Sequence, residues 1–109
     1  MMTNGERALD ALGDPTRRGV LNRLRHGSRS VREIADGMDV SRPAVSQHLK
    51  VLREAGLVVV RAEGTRRLYA VDTRGIEALR SWLDGFWDEA LAAFKKAAER
   101  EATKERKAR

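Results

Sequence analysis

The stretch SVREIADGMDVSRPAVSQHLKVL, residues 30–52, carries two helix starts eleven residues apart, and no other feature constrains the fold as tightly. Ser30 followed by Glu33 is a capping box: the hydroxyl takes one orphan amide and the carboxylate reaches back for another. Ile34, Ala35 and Met38 give this first helix one apolar side. Ser41 is placed to cap the second helix, on which Val45, Leu49 and Leu52 fall in one stripe at the 3.6-residue period. Only Gly37 to Val40 lie between. Two short helices joined by about four residues form a helix-turn-helix. Asp39 stands where that turn often carries glycine, and aspartate tolerates left-handed backbone better than most residues. A left-handed Asp39 is therefore expected.

The flanking sequence extends the motif in both directions. Asn4 is the candidate cap of a first helix through Leu12, with Ala8, Leu9 and Leu12 on one side. In GDPTRRGVLNRLRHG, Asp14 then Pro15 signals another start, Val20, Leu21 and Leu24 form the apolar face, and His26-Gly27 marks the stop. Gly56 ends the helix begun at Ser41. LVVVRA and RRLYAV then read as two strands joined at Glu63-Gly64-Thr65, a hairpin. Tyr69 is expected to be a sheet residue with its hydroxyl outward. From Thr73, a candidate cap, a long helix runs to about residue 100 and is expected to fray beyond it. The order predicts a mainly α fold with a β-hairpin wing, a winged helix-turn-helix. Residues 1–94 form its body and 95–109 a charged helical extension.

A chain of 109 residues fits one small domain, marginal in isolation and helped by burial in a dimer. It has no cysteine, which excludes disulfides, cysteine zinc sites and thiol catalysis. The N-terminus MMTNGERALD lacks an apolar core, and no run approaches the roughly 18 apolar residues of a membrane span. A cytoplasmic protein with no membrane partner is expected. Net charge is +6, unevenly spread. Ser41 to Arg67 holds six basic and two acidic side chains, whereas Arg74 to Phe94 holds two basic and four acidic. Lys95 to Arg109 is basic again, seven against three. The internal basic stretch points to a polyanion, double-stranded DNA.

Turning Val45, Leu49 and Leu52 inward leaves Arg42, Pro43, Ser46, Gln47 and Lys50 outward, in the first three turns of their helix. A recognition helix enters the major groove by this end. Gln47 can bind adenine with donor and acceptor together, and Arg42 can bind guanine. Ser41, Ser46 and Lys50 suit phosphates, which set register rather than specificity. His48, beside the apolar stripe, suits packing or a phosphate contact. Arg61, Thr65, Arg66 and Arg67 of the hairpin are placed to straddle a backbone or reach an adjacent minor groove.

No catalytic residue, metal site or cofactor site is expected. Ser46 and His48 do not stand one above the other on a helix and make a poor nucleophile–base pair. His26 and His48 alone assemble no metal cluster. The last helix carries more apolar surface than one face needs. Ile76, Leu79, Trp82, Leu83, Phe86, Trp87, Ala90, Leu91 and Phe94 cover over half its circumference, where about 100° would suffice. The excess predicts a homodimer, with recognition helices about 34–36 Å apart on a two-fold symmetric operator.

Together, ALGDPTRRGVLNRL, SVREIADGMDVSRPAVSQHLKVLREAGLVVVRAEGTRRLY and the LDGFW of the final helix resemble the ArsR family of bacterial winged helix-turn-helix repressors, over roughly Gly5 to Phe94. The resemblance implies a homodimer joined by first and last helices, Leu9 and Leu12 included, and repression by blocking a promoter, often the protein's own. Family members that sense metals do so through cysteines on the helix corresponding to Ser30–Met38, or through Asp and His residues on the last helix. The first has no cysteine here, and the last offers Asp84, Asp88 and Glu89 but no histidine. The chain resembles the cysteine-free, non-metal-sensing members. A metal-responsive repressor with a non-cysteine site, or a winged helix that docks protein instead of DNA, are the alternatives.

Overall fold

The computed structural model describes residues 1–108, with side chains through residue 107. Its elements run α1 (Asn4–Ala11), α2 (Pro15–Arg23), α3 (Val31–Asp36), α4 (Arg42–Glu54), β1 (Val58–Glu63), β2 (Arg66–Val71) and α5 (Thr73–Ala108). No described helix is long and apolar enough to cross a membrane.

Local capping chemistry sets most of these boundaries. The Asp14 carboxylate accepts the Thr16 and Arg17 amides at 2.8 and 3.0 Å, with Pro15 needing no donor. The Ser30–Glu33 box is closed in both directions, and the Ser41 hydroxyl accepts the Ala44 amide at 3.2 Å. Two starts fall one residue away from the sequence expectation. Thr3, not Asn4, caps α1 through a second capping box with Glu6. Asp72, not Thr73, caps α5: its carboxylate accepts the Arg74 amide at 3.0 Å and its carbonyl the Ile76 amide at 3.4 Å. A carboxylate also suits the positive end of the helix dipole better than a hydroxyl does.

Three further expectations are corrected. α2 stops at Arg23 rather than at His26-Gly27, because amides 24, 25 and 27 tighten into three-residue turns. Asp39 is not left-handed: among the described residues only Gly27, Gly56 and Gly64 have φ in that region. The helix-turn-helix turn is thus made without left-handed backbone. Finally, α5 does not end near residue 100 but continues past residue 94 without a break to Ala108. Its last stretch is rich in alanine and long straight-chain residues, and Arg106 and Lys107 sit at the negative end of the dipole.

The core gathers on α4. Val45, Leu49 and Leu52 are fully buried with Val20 of α2, Ile34 of α3 and Leu57. The hairpin pairs antiparallel from Val58↔Val71 to Glu63↔Arg66. Gly64 has φ 63° while Thr65 is not left-handed, which is the pattern of a II′ turn. Tyr69 is a sheet residue, as expected, but belongs to the core at 8% exposure. Its backbone exchanges hydrogen bonds with Arg29 at 2.9 and 2.8 Å, so the hairpin is anchored to the segment before α3.

Two glycines let α5 approach the body. A Cβ at Gly75 would stand 2.0 Å from the Gly56 carbonyl oxygen, and one at Gly5 would stand 2.5 Å from the Trp82 Cβ. Beyond Trp82, every α5 residue to Lys107 is exposed. The radius of gyration is 20.4 Å and the long axis 76 Å. A compact chain of this length would have about 13 Å, and the 36-residue α5 accounts for the difference, being about 54 Å long.

Gly75→Ala should destabilise the fold by at least about 1–3 kcal/mol, because its methyl meets backbone that cannot rotate away. An unchanged urea midpoint would show that α5 shifts freely along the body. A second expectation concerns acid. The Asp14 carboxyl is held low mainly by the Arg17 amide, that of Glu33 by the Ser30 amide and hydroxyl, and that of Asp72 by the Arg74 guanidinium and amide. Lowered folded values mean stability that is present above the ordinary carboxylate range and lost as pH falls through those values. Urea midpoints should therefore drop progressively below about pH 4, and Asp72→Asn should flatten that slope.

Candidate nucleic-acid interface

The α4 stripe that faces the core decides what faces out. Ser41, Arg42, Pro43, Ser46, Gln47 and Lys50 are all exposed, and His48 is half-buried. Pro43, Ser46, Gln47 and Lys50 lie on the side of α4 away from Val45, Leu49 and Leu52, while Ser41 and Arg42, at the helix start, stand beside that stripe. The Ser41 hydroxyl oxygen is committed to the cap, leaving its proton to donate. Because Ala44's amide is taken and Pro43 has none, side chains rather than backbone amides supply most donors at this helix start. His48 lies near α2, where its ring adds to the forces lowering the Asp14 carboxyl.

The wing is less uniform than its sequence suggested. Arg61, Thr65, Arg66 and Arg67 are exposed, but the register and strand alternation put Arg61, Glu63 and Arg66 on one face and Arg67 on the other. Arg61 lies 3.4 Å from Glu63, both well exposed. Arg66 makes a close pair with Glu33 at 2.6 Å. That contact was not foreseen: the α3 capping carboxylate also holds the tip of the wing. Nothing local in the sequence links residues 33 and 66. Among the described residues, Arg42, Lys50 and Arg67 make no ion pair.

Four other arginines of the first half serve the fold. Arg17 and Arg18 donate to the Ala11 and Leu12 carbonyls at 2.9 and 2.7 Å, closing the end of α1. Arg29 donates to the Arg23 carbonyl at 3.0 Å, and Arg23 to the carbonyl of Gly37. These are cations placed on the orphan carbonyls of helix ends. No group of three or more His, Asp or Glu side chains close enough to hold a metal occurs among the described residues.

Residues 14–60 match the family model of bacterial regulatory proteins of the arsR family. Over 89 residues the chain is 54% identical to the HTH-type transcriptional regulator Rv2034 of Mycobacterium tuberculosis, covering 82% of this chain and 83% of that one. The chain belongs to the ArsR family. It is also similar to the transcriptional repressor SdpR of Bacillus subtilis, 30% identical over 76 residues, 70% of this chain and 84% of that one. Among solved structures, an ArsR-like regulator from Rhodococcus superposes with TM-score 0.71 at 30% identity, covering 87% of this chain and 92% of that one. The homodimeric winged helix-turn-helix DNA-binding domain of a possible ArsR-family regulator from Mycobacterium bovis superposes with TM-score 0.64 at 31% identity, covering 81% and 82%. The matched segment 14–60 holds every α4 position described above, and the winged helix-turn-helix architecture is that of the family.

Glu33→Gln keeps the capping geometry but removes the charge facing Arg66. The wing amides around Gly64 and Thr65 should then exchange with deuterium severalfold faster, while the α4 amides keep their protection. Equal exchange in both proteins would mean that the pair does not hold the wing.

Proposed function

We propose that this ArsR-family chain is a cytoplasmic, homodimeric, sequence-specific repressor, an autorepressor among its promoters, that reads a two-fold symmetric operator through α4 without metal, cofactor or catalysis. The observation that carries the reading is the division of α4. One side is locked into the core, and the other is an exposed polar surface bearing Arg42, Ser46, Gln47 and Lys50. Gln47 and Arg42 read base edges in the major groove, while Ser41, Ser46, Lys50 and a phosphate-facing His48 set the register. Pro43 lets the backbone approach. Arg67, free of ion pairs, clamps the flanking backbone with Thr65, Arg61 and, once released by Glu33, Arg66.

Exposure along α5 supports the dimer. Phe86, Trp87 and Phe94 are 58, 62 and 73% exposed, and Leu83, Leu91 and Ala90 lie open beside them. Leu9 on α1 is exposed next to half-buried Leu12, Leu79 and Trp82. A patch of this size on a lone chain marks an interaction surface. The exposed cationic face of α4 favours DNA over a protein-docking role.

Selection from random duplex DNA at about 150 mM salt should return an inverted repeat with half-sites about one helical turn apart. Gln47→Ala should relax preference at one position of each half-site, by about 1–3 kcal/mol, whereas Arg67→Ala should weaken all sequences about equally and flatten the salt dependence. Uniform loss in both variants would sink the division into reader and clamp.

A further inference from the structure

We propose that the cleft where α1 lies beside the end of α4 and the start of α5 binds a free α-amino acid with an aliphatic side chain. Its two lobes, about 300 and 290 Å³, share Arg7, Glu54 and Ala55. Such volumes stand at the small end of ligand pockets and suit a compact molecule. Both lobes open away from the surfaces that the proposed homodimer uses. Arg7 lies about 160° around α1 from Leu9, and Ala78, on the cleft wall, about 140° around α5 from Leu83.

Charge selects the ligand. In the first lobe Arg74 and Asp72 satisfy each other, the guanidinium donating to both carboxylate oxygens at 3.2 and 3.0 Å. Arg7 and Glu54 are exposed and make no ion pair among the described residues. They leave one open cation on α1 and one open anion on α4. A zwitterion matches that pattern, and a simple anion or cation does not. Asn4, one turn before Arg7, adds an amide donor for the ligand's carboxylate. Glu54 ends α4, where the helix dipole also favours a cation, here the ammonium. Asp10, exposed on the second lobe, adds to the negative side. The same lobe carries Met2, Ala11 and Val51, an apolar bed for the ligand's side chain. Occupancy acts on the joint between the reading helix and α5. α1 holds α5 where Gly5 meets Trp82, and α4 meets α5 at Gly56 and Gly75. A ligand bridging Arg7 to Glu54 ties α1 to α4 and braces that joint. It thereby shifts operator affinity, a role that rests on the repressor reading above.

The test is calorimetric titration of the full-length protein with leucine, valine and methionine. A shallow, exposed site should give a dissociation constant on the order of 0.1–1 mM for at least one of them. The matching amine, lacking the carboxylate, and the matching acid, lacking the ammonium, should each bind at least about tenfold more weakly. Arg7→Gln should erase the preference over the amine, and Glu54→Gln the preference over the acid. General loss of packing cannot produce that crossed pattern. No binding of any of the three at about 10 mM, or both preferences intact in both variants, overturns the site. Binding that leaves affinity for the selected operator unchanged within about twofold keeps the site and removes its regulatory role. The titration needs no DNA, so its result stands even where the repressor reading fails.

Discussion

Burial of Val45, Leu49 and Leu52 holds the rest of the molecule in place. Each is 0–1% exposed, and such side chains contribute about 1.5–3 kcal/mol apiece on leaving water. The same stripe is touched from one side by Val20 and Ile34, and it continues into the sheet through Leu57, whose amide bonds the Leu52 carbonyl at 2.9 Å. Rotating α4 by even one residue, about 100°, would bring polar side chains into that site. The outward face is therefore fixed by the inward one. The direction in which Arg42, Gln47 and Lys50 point is a consequence of apolar packing, and no polar contact of their own is needed to aim them.

Cations in this chain divide by where carbonyls lie unsatisfied. Arg17, Arg18, Arg23 and Arg29 sit near helix ends or turns and donate to backbone oxygens there. Arg42, Lys50 and Arg67 stand on regular elements whose backbone is already paired, so their charge remains available to a polyanion. A net charge of +6 conceals this division. Arg66 is intermediate: its pair with Glu33 is exposed on both sides, and such pairs contribute little to stability. What the pair supplies is position, since it joins the wing tip to the first helix of the helix-turn-helix.

Sequence patterns revealed whatever depends on neighbours within one turn. The Asp14-Pro15 start, the Ser30–Glu33 box and the Ser41 cap are all local, as is the α4 stripe, and each stands where the spacing placed it. The errors at Asn4 and Thr73 are one residue wide, because in each case two adjacent polar residues compete for a cap and the decision rests on geometry. The misjudged tail of α5 has a different origin. Charge runs suggest fraying, yet alanine at positions 97, 98 and 102 favours helix without needing any partner. Contacts between distant segments left no trace. The Arg29–Tyr69 bridge, the Glu33–Arg66 pair and the approach of Gly75 to Gly56 all join residues whose proximity only the completed fold creates.

The last of those contacts ties reading to assembly. Gly75 opens α5, and Gly56 closes α4 with φ 77°. Their backbones touch with no space for a methyl group between them. At its other end, the body grips α5 where Gly5 of α1 crosses Trp82. Two close approaches about seven residues apart, roughly 10 Å along the helix, fix both the tilt and the rotation of α5 relative to α4. In the proposed dimer the two copies meet along α1 and α5, so the separation of the two reading helices follows from that rigid joint. Tolerance for error is small: over the 54 Å of α5 a tilt of a few degrees at the joint shifts the far end by several ångströms. A glycine at each approach is how the sequence removes the side chains that would otherwise introduce it.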